Sequence, residues 1–182
     1  STISISDSRF AAVSGTFTDT TTSALVSQGC TAAVNLFFIE DYVGSWSGIL
    51  GNAAGMPGSI GIANAWNGVL ISLTAHASGT SLDAQLLGET AAHEMGHQLG
   101  LFHTTEEWGT VFDIITDTAE CSKNSRDNDR NGQMSAEECE GYGGENVMFW
   151  TPWSTSSRSA GKKQETLSSY QQQVLKHSPI AK

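Results

Sequence analysis

No apolar run in this sequence approaches the roughly 20 residues needed to span a bilayer. The nearest, residues 32–39, is short and is interrupted by Asn35. That excludes a membrane-spanning helix. Basic residues are also scarce, with nine Lys and Arg against nineteen Asp and Glu, a net charge of −10. So acidic a chain is repelled by phosphate backbones and anionic lipid, which argues against nucleic acid and membrane surfaces as partners. Cysteine is limited to three residues. Neither an internal repeat nor a linker divides the chain, and it opens at Ser1 without an initiator Met or signal-like regions, as expected of a processed piece of a longer precursor. At 182 residues and 38% hydrophobic content it can bury one core as a single domain, with two lobes around a cleft as an option.

Against that background stands His93-Glu94-Met95-Gly96-His97-Gln98-Leu99-Gly100-Leu101-Phe102-His103. His93 and His97 are four apart, so a helix places them on one face, one turn above the other. Glu94 projects from the same end of the helix toward a metal-bound water, the place of a general base. Gly100 can take the left-handed backbone that ends a helix and turns the chain back. That turn returns His103 as third ligand. Three protein ligands leave the fourth position of a zinc ion to water, as in catalytic sites, whereas structural sites close with four. The alternative is three histidines fallen by chance on an amphipathic helix, which five defined positions in eleven residues disfavour. His76 and His177 have no such context and are taken as ordinary surface or packing residues.

The charge is unevenly spread. From Glu106 to Glu145 lie eleven acids against three bases, which is −8 of the −10. Within this segment Asp127 to Glu138 fits a twelve-residue calcium loop, with side-chain oxygens from Asp127, Asp129 and Asn131 and a sharp turn at Gly132. The carbonyl of Gln133, Ser135 directly or through water, and Glu138 at the end complete the set. Hard oxygen ligands in this number suit one structural Ca²⁺; the alternative is an acidic surface turn. Cys121 and Cys139 flank the loop, and a disulfide between them would order a segment that otherwise lacks a core. Cys30 is then left as a buried free thiol or as partner of a cysteine elsewhere. Three reduced cysteines in a cytosolic protein are the alternative to this oxidising, extracellular setting.

Hydrophobic patterning predicts a short helix near Thr22 to Gln28 and a buried strand over residues 32–39. Loop with short strands follows over 44–67, then a strand over 68–73. Ser81 is a plausible N-cap for a helix from Leu82 to Leu99 that carries the histidines. The chain after His103 is irregular, and residues 165–176 form a closing helix with Leu167, Tyr170, Val174 and Leu175 near one face. Thr151 to Ala160 reads as a Ser-rich surface loop that could shape a cleft.

The His motif, followed by Gly144-Glu145-Asn146-Val147-Met148-Phe149-Trp150, resembles the metzincin clan of zinc endopeptidases with its Met-turn. Asp113 to Cys121, Cys139, Asn146-Val147-Met148 and Leu167 to Gln171 look most like its pappalysin group. The resemblance implies an α+β, two-lobed catalytic domain. Its upper lobe, about residues 1–100, would hold a twisted mixed sheet with the active-site helix. Its irregular lower lobe, about 101–182, would hold His103, the Met-turn and a C-terminal helix. It also implies secretion, often with a pro-segment, and cleavage of peptide bonds in proteins. Met148 would lie beneath the imidazoles without touching the metal. The edge strand of such a sheet binds substrate as an added strand, for which Val69 to Leu73 is the candidate. One departure is Trp150, where several clan members carry a Tyr; an indole N–H can donate a hydrogen bond but cannot ligate zinc.

The expected protein is therefore a secreted, monomeric zinc metalloendopeptidase with Glu94 as general base, acting on protein or peptide substrates. A calcium-stabilised binding or adhesion module with a vestigial zinc site is the alternative from another class, and a cytosolic metallohydrolase is a third reading.

Overall fold

The computed structural model describes residues 2–31, 33–59 and 66–181. In chain order the elements are β1 (Ala12–Val13), α1 (Thr20–Val26), β2 (Leu36–Ile39), β3 (Asp41–Tyr42), β4 (Gly51–Ala53) and β5 (Val69–Ser72). The hairpin strands β6 (Ala77–Ser78) and β7 (Ser81–Leu82) come next, then α2 (Ala84–Leu99), α3 (Lys123–Arg126), α4 (Thr155–Ser159) and α5 (Ser169–His177). The architecture is mixed α+β. Its main sheet has the order β2-β5-β4, with β2 parallel and β4 antiparallel to β5.

That order corrects the expectation for residues 69–73. β5 is the central strand, paired on both sides, and each of Val69 to Ser72 is buried, which is why it reads as a continuous apolar run. A strand paired on both sides has no edge to offer a substrate. The edges are β2 and β4. β2 is also shorter and less buried than expected: it covers only 36–39, Phe38 is 53% exposed, and of its four residues only Ile39 is buried. Asn35 stands just before the strand: its own carbonyl accepts the Val69 N–H at 2.9 Å, while its side-chain amide bonds the carbonyls of Cys30, Ala33 and Asn67. Ala32 lies outside the described residues.

α1 starts two residues earlier than expected and ends at Val26, because Asp19 caps it, its Oδ1 accepting the N–H groups of Thr21 and Thr22. For α2 the cap is Asp83, not Ser81. Ser81 is drawn into the β6–β7 hairpin, and Asp83 Oδ1 accepts the Leu86 N–H at 2.9 Å. Arg158 holds the other carboxylate oxygen of Asp83 at 2.8 Å. α2 packs over β4 and β5 and ends at Gly100, whose φ of 108° only glycine adopts freely.

Among the described residues, many of the buried hydrophobic side chains gather in two clusters. Phe10, Val13, Phe17, Leu25, Val26, Ile39, Tyr42, Ala54 and Leu70 all precede α2 in sequence. Cys121, Met134, Ala136, Cys139, Phe149 and Trp153 follow it, around a Cys121–Cys139 disulfide. Cys30 is exposed, which corrects the expectation of a buried thiol. Its backbone N–H and carbonyl are both held by Asn35, in the turn that trails α1.

The closing helix starts at Ser169, later than expected, because Ser168 caps it in a capping box with Gln171. It is anchored by polar contacts more than by its apolar stripe: Gln171 is fully buried against Asn146, while Tyr170 is more than half exposed. Asp117 accepts from the Ser168 hydroxyl and the Tyr170 N–H, tying the acidic segment to the start of α5. No helix among the described residues is long and apolar enough to cross a membrane.

Candidate metal centre

α2 sets His93 and His97 one turn apart, and the Gly100 turn brings His103 back to them. The three Nε2 atoms form a triangle with 3.1 Å sides. Each ring is held from behind. His93 Nδ1 lies 2.7 Å from the Val147 carbonyl, His97 Nδ1 2.8 Å from the Leu101 carbonyl, and His103 Nδ1 2.9 Å from Glu106 Oε2. Carbonyl and carboxylate oxygens only accept, so each Nδ1 carries the proton and each Nε2 presents a lone pair. Three acceptors this close cannot bond one another; a cation among them satisfies all three. Tetrahedral zinc with bonds of about 2.0–2.1 Å sets its nitrogens about 3.3 Å apart, close to what is seen. Burial, and then the neighbouring imidazoles, hold His93 down to about 3 and His97 to about 4, so both rings are neutral at ordinary pH.

Glu94 is buried beside this triangle. Burial pushes its carboxyl up to about 8, opposed by a hydrogen bond from the Ala53 backbone; a dication at the imidazoles acts in the same direction as that bond. β4 reaches so close that a Cβ on Gly51 would stand 2.7 Å from Glu94 Cγ. The triangle and Glu94 open into a cleft of about 570 Å³, with Gly51, Asn52 and Ala53 along one side and Trp150 and Thr151 among its other lining residues.

Met148 is fully buried, and a Cβ on residue 96 would lie 2.3 Å from its sulfur. Asn146 shapes this turn: its Oδ1 accepts the Met148 N–H at 2.8 Å and its amide reaches Gln171. The turn in turn supplies Val147 O to His93 and accepts the Thr104 N–H at Met148 O. Trp150 turns its indole N–H away to the Met134 carbonyl, at 2.6 Å, so that proton is committed.

Residues 11–104 match the family model described as metallo-peptidase family M12B, reprolysin-like. The chain belongs to this family. As a reprolysin-like metallopeptidase it is of metzincin type, and its family implies zinc and protein substrates. It is similar to extracellular metalloprotease 1 of Coccidioides posadasii (strain C735), at 38% identity over 77 residues, 42% of this chain and 27% of the relative. The match thus spans about a quarter of the curated relative's length. No solved structure gives a significant match. The family match ends at residue 104, so the Met148 turn and the acidic segment of this metallopeptidase lie beyond it.

In that segment Asp127, Asp129 and Glu138 bring carboxylate oxygens within 4.8 Å of one another. Gly132 makes the sharp turn, with φ of +88°. Asn131 gives its amide N–H to Asp129 and its oxygen to the Gln133 N–H, while the Gln133 amide reaches Glu107. Ser135 bonds Glu138 Oε2. Burial works to raise the Glu138 carboxyl, but bonds from Ser135, Asp129 and Asn128 outweigh it and hold the group below its usual range.

Sequence reasoning gave no role to Gly96, Asn146, Gln171 or Glu106. Gly96 had a signal, since glycine inside a helix costs about 1 kcal/mol relative to alanine and calls for a packing reason. The others act through contacts that local spacing does not encode.

Proposed function

We propose that this chain is the catalytic domain of a secreted zinc endopeptidase, with His93, His97 and His103 as metal ligands and Glu94 as general base. The observation that carries this reading is the set of three acceptor nitrogens 3.1 Å apart with a buried carboxylate beside them. Zinc, when bound, brings the pKa of its water toward about 7 and polarises the scissile carbonyl. The chain's own contribution is proton traffic and alignment. Glu94 removes a proton from the attacking water and delivers it to the leaving amine. The open edge of β4 receives the substrate backbone as an added strand, the role first expected of residues 69–73. Gly51 keeps that edge within reach of Glu94.

The residues before α2's end and those after it form the upper and lower lobes of one domain over 1–182, which works as a monomer. The two separate hydrophobic clusters support this division. Within the clan, Asp113 to Cys121 and the Asn146-Val147-Met148 turn favour pappalysin-like kinship. One Ca²⁺ held by Asp127, Asp129 and Glu138, with Asn131, Gln133 and Ser135 around it, stabilises the lower lobe. The disulfide and the extracellular name of the relative support secretion.

Glu94→Ala tests the mechanism: zinc content is expected to stay at one per chain while hydrolysis of a peptide library disappears. A Glu94→Ala variant with near-normal turnover would refute it. A wild-type chain that binds zinc without cutting any peptide would favour a binding module instead.

A further inference from the structure

Three imidazoles point at one spot, but they are not held alike. The backbone carbonyls of Val147 and Leu101 hold His93 and His97, and no side-chain substitution removes them. His103 follows the helix, on irregular chain, and its Nδ1 partner is the Glu106 carboxylate. An anionic acceptor fixes the tautomer and orientation of a ring more strongly than a neutral carbonyl, and it raises the basicity of the ligating nitrogen.

Glu106 is itself held in place. Its N–H donates to the Val111 carbonyl at 3.0 Å and its own carbonyl accepts the Gly109 N–H at 2.9 Å. On either side, Thr105 bridges Phe112, and its hydroxyl accepts the N–H of the disulfide residue Cys121. The carbonyls of Glu107 and Gly109 accept the N–H groups of Met134 and Lys123. The turn that carries Glu106 is thus fastened at several points to the disulfide-closed segment.

We propose that Glu106 is a positioning residue for the metal, orienting His103 and strengthening it as third ligand. The irregular acidic segment then has a task at the centre: it fixes the turn from which Glu106 reaches back. This rests on the reading of the three histidines as a zinc site. It adds a residue that lies beyond the family match and outside the His motif.

The test is zinc affinity, measured by competition with a chromophoric chelator, on the wild-type chain and on Glu106→Ala, Glu106→Gln, His103→Ala and the Glu106→Ala/His103→Ala pair. Loss of such a partner costs about 10–100-fold in metal affinity. Glu106→Ala is expected to fall in that range. Glu106→Gln, whose amide oxygen still accepts from Nδ1, is expected to lose less. In the His103→Ala background the same substitution should change affinity little, because the ring it acts through is gone. The electronic spectrum of the cobalt-loaded chain should shift in Glu106→Ala and return toward wild type in Glu106→Gln. Equal affinities for wild type and Glu106→Ala would overturn the inference, as would a loss of the same size with and without His103, which marks a general effect on folding. A wild-type chain that takes up no zinc would overturn the metal reading itself, a result distinguishable from either.

Discussion

The sulfur of Met148 occupies the space beside Gly96 that a side chain would need, with only 2.3 Å from Sδ to a Cβ built at that position. The glycine inside the His motif is therefore a contact surface between α2 and the Met148 turn. Met148 is fully buried and has little room to retreat. Gly96→Ala gains helix propensity of about 1 kcal/mol but forces overpacking that costs about 1–3 kcal/mol. Urea unfolding should show net destabilisation, and zinc affinity should fall as the turn that supplies Val147 O is displaced. Gly88 is the control. It lies on the same helix with open space around it, so Gly88→Ala should stabilise by about 0.5–1 kcal/mol. If both substitutions stabilised equally, the Gly96–Met148 contact would not constrain the fold.

A second prediction concerns pH. His76 is buried, with Nδ1 on the Ser72 carbonyl and Nε2 2.9 Å from the Thr90 hydroxyl, one turn before Glu94. Burial lowers its pKa; the Ser72 bond and Asp83 oppose this and Arg158 adds to it. The unfolded chain has an imidazole pKa of about 6.5. The folded value lies below that, so between the two the unfolded state binds the extra proton. The contribution of His76 is complete above about 6.5 and is lost as pH falls through the folded value. His93 and His97 add slopes of the same sign in metal-free protein. A His76→Asn variant keeps those and should therefore show a shallower loss of unfolding free energy below about pH 6.5 than wild type. Parallel curves would mean that His76 does not contribute.

These two cases mark what local sequence could and could not reveal. Helical periodicity and the Gly100 turn bring His93, Glu94, His97 and His103 together within eleven residues, so their convergence was readable from spacing. The Cys121–Cys139 pair was readable because only one loop needed bracketing. Strand position was not. Whether residues 69–72 lie at the edge or centre of a sheet depends on β2 and β4 pairing with them from distant parts of the chain. Apolar content marked residues 68–73 as a strand without saying that it had neighbours on both sides. For α2, Ser81 and Asp83 are both good caps, and the β6–β7 hairpin decides between them. Cys30 shows the converse limit: a residue type that is usually buried is exposed here, because Asn35 fixes the backbone around it.

The acidic segment gives a third prediction. Asp127 Oδ1 is buried without a hydrogen-bond partner, and two further carboxylates lie within 4.8 Å. If the loop holds Ca²⁺ as proposed, the ion at about 100 times its Kd would add about 2.7 kcal/mol of stability. Chelation followed by restoration of zinc alone should lower the melting temperature and increase self-cleavage between Cys121 and Cys139. Asp129→Asn should reduce the effect of added calcium. An unchanged melting temperature and fragment pattern would leave the loop an acidic surface turn.

Trp150 supplies the last prediction, because its position in the cleft suggests a donor to the reacting oxygen while its geometry says otherwise. The indole N–H is 2.6 Å from the Met134 carbonyl, and Met134 is fixed in turn through its own N–H to Glu107 O. A proton committed there cannot also stabilise an oxyanion. Trp150→Phe removes one hydrogen bond and orphans a carbonyl, which should cost about 1–3 kcal/mol of stability. The ring still lines the cleft, so KM should shift modestly while kcat stays within about twofold, the signature of a residue that contacts substrate without serving the transition state. A kcat loss of about 100-fold, the size seen when an oxyanion donor is removed, would mean that the indole leaves Met134 during the reaction. Either result assigns the residue, since stability reads the Met134 bond and kcat reads the oxyanion.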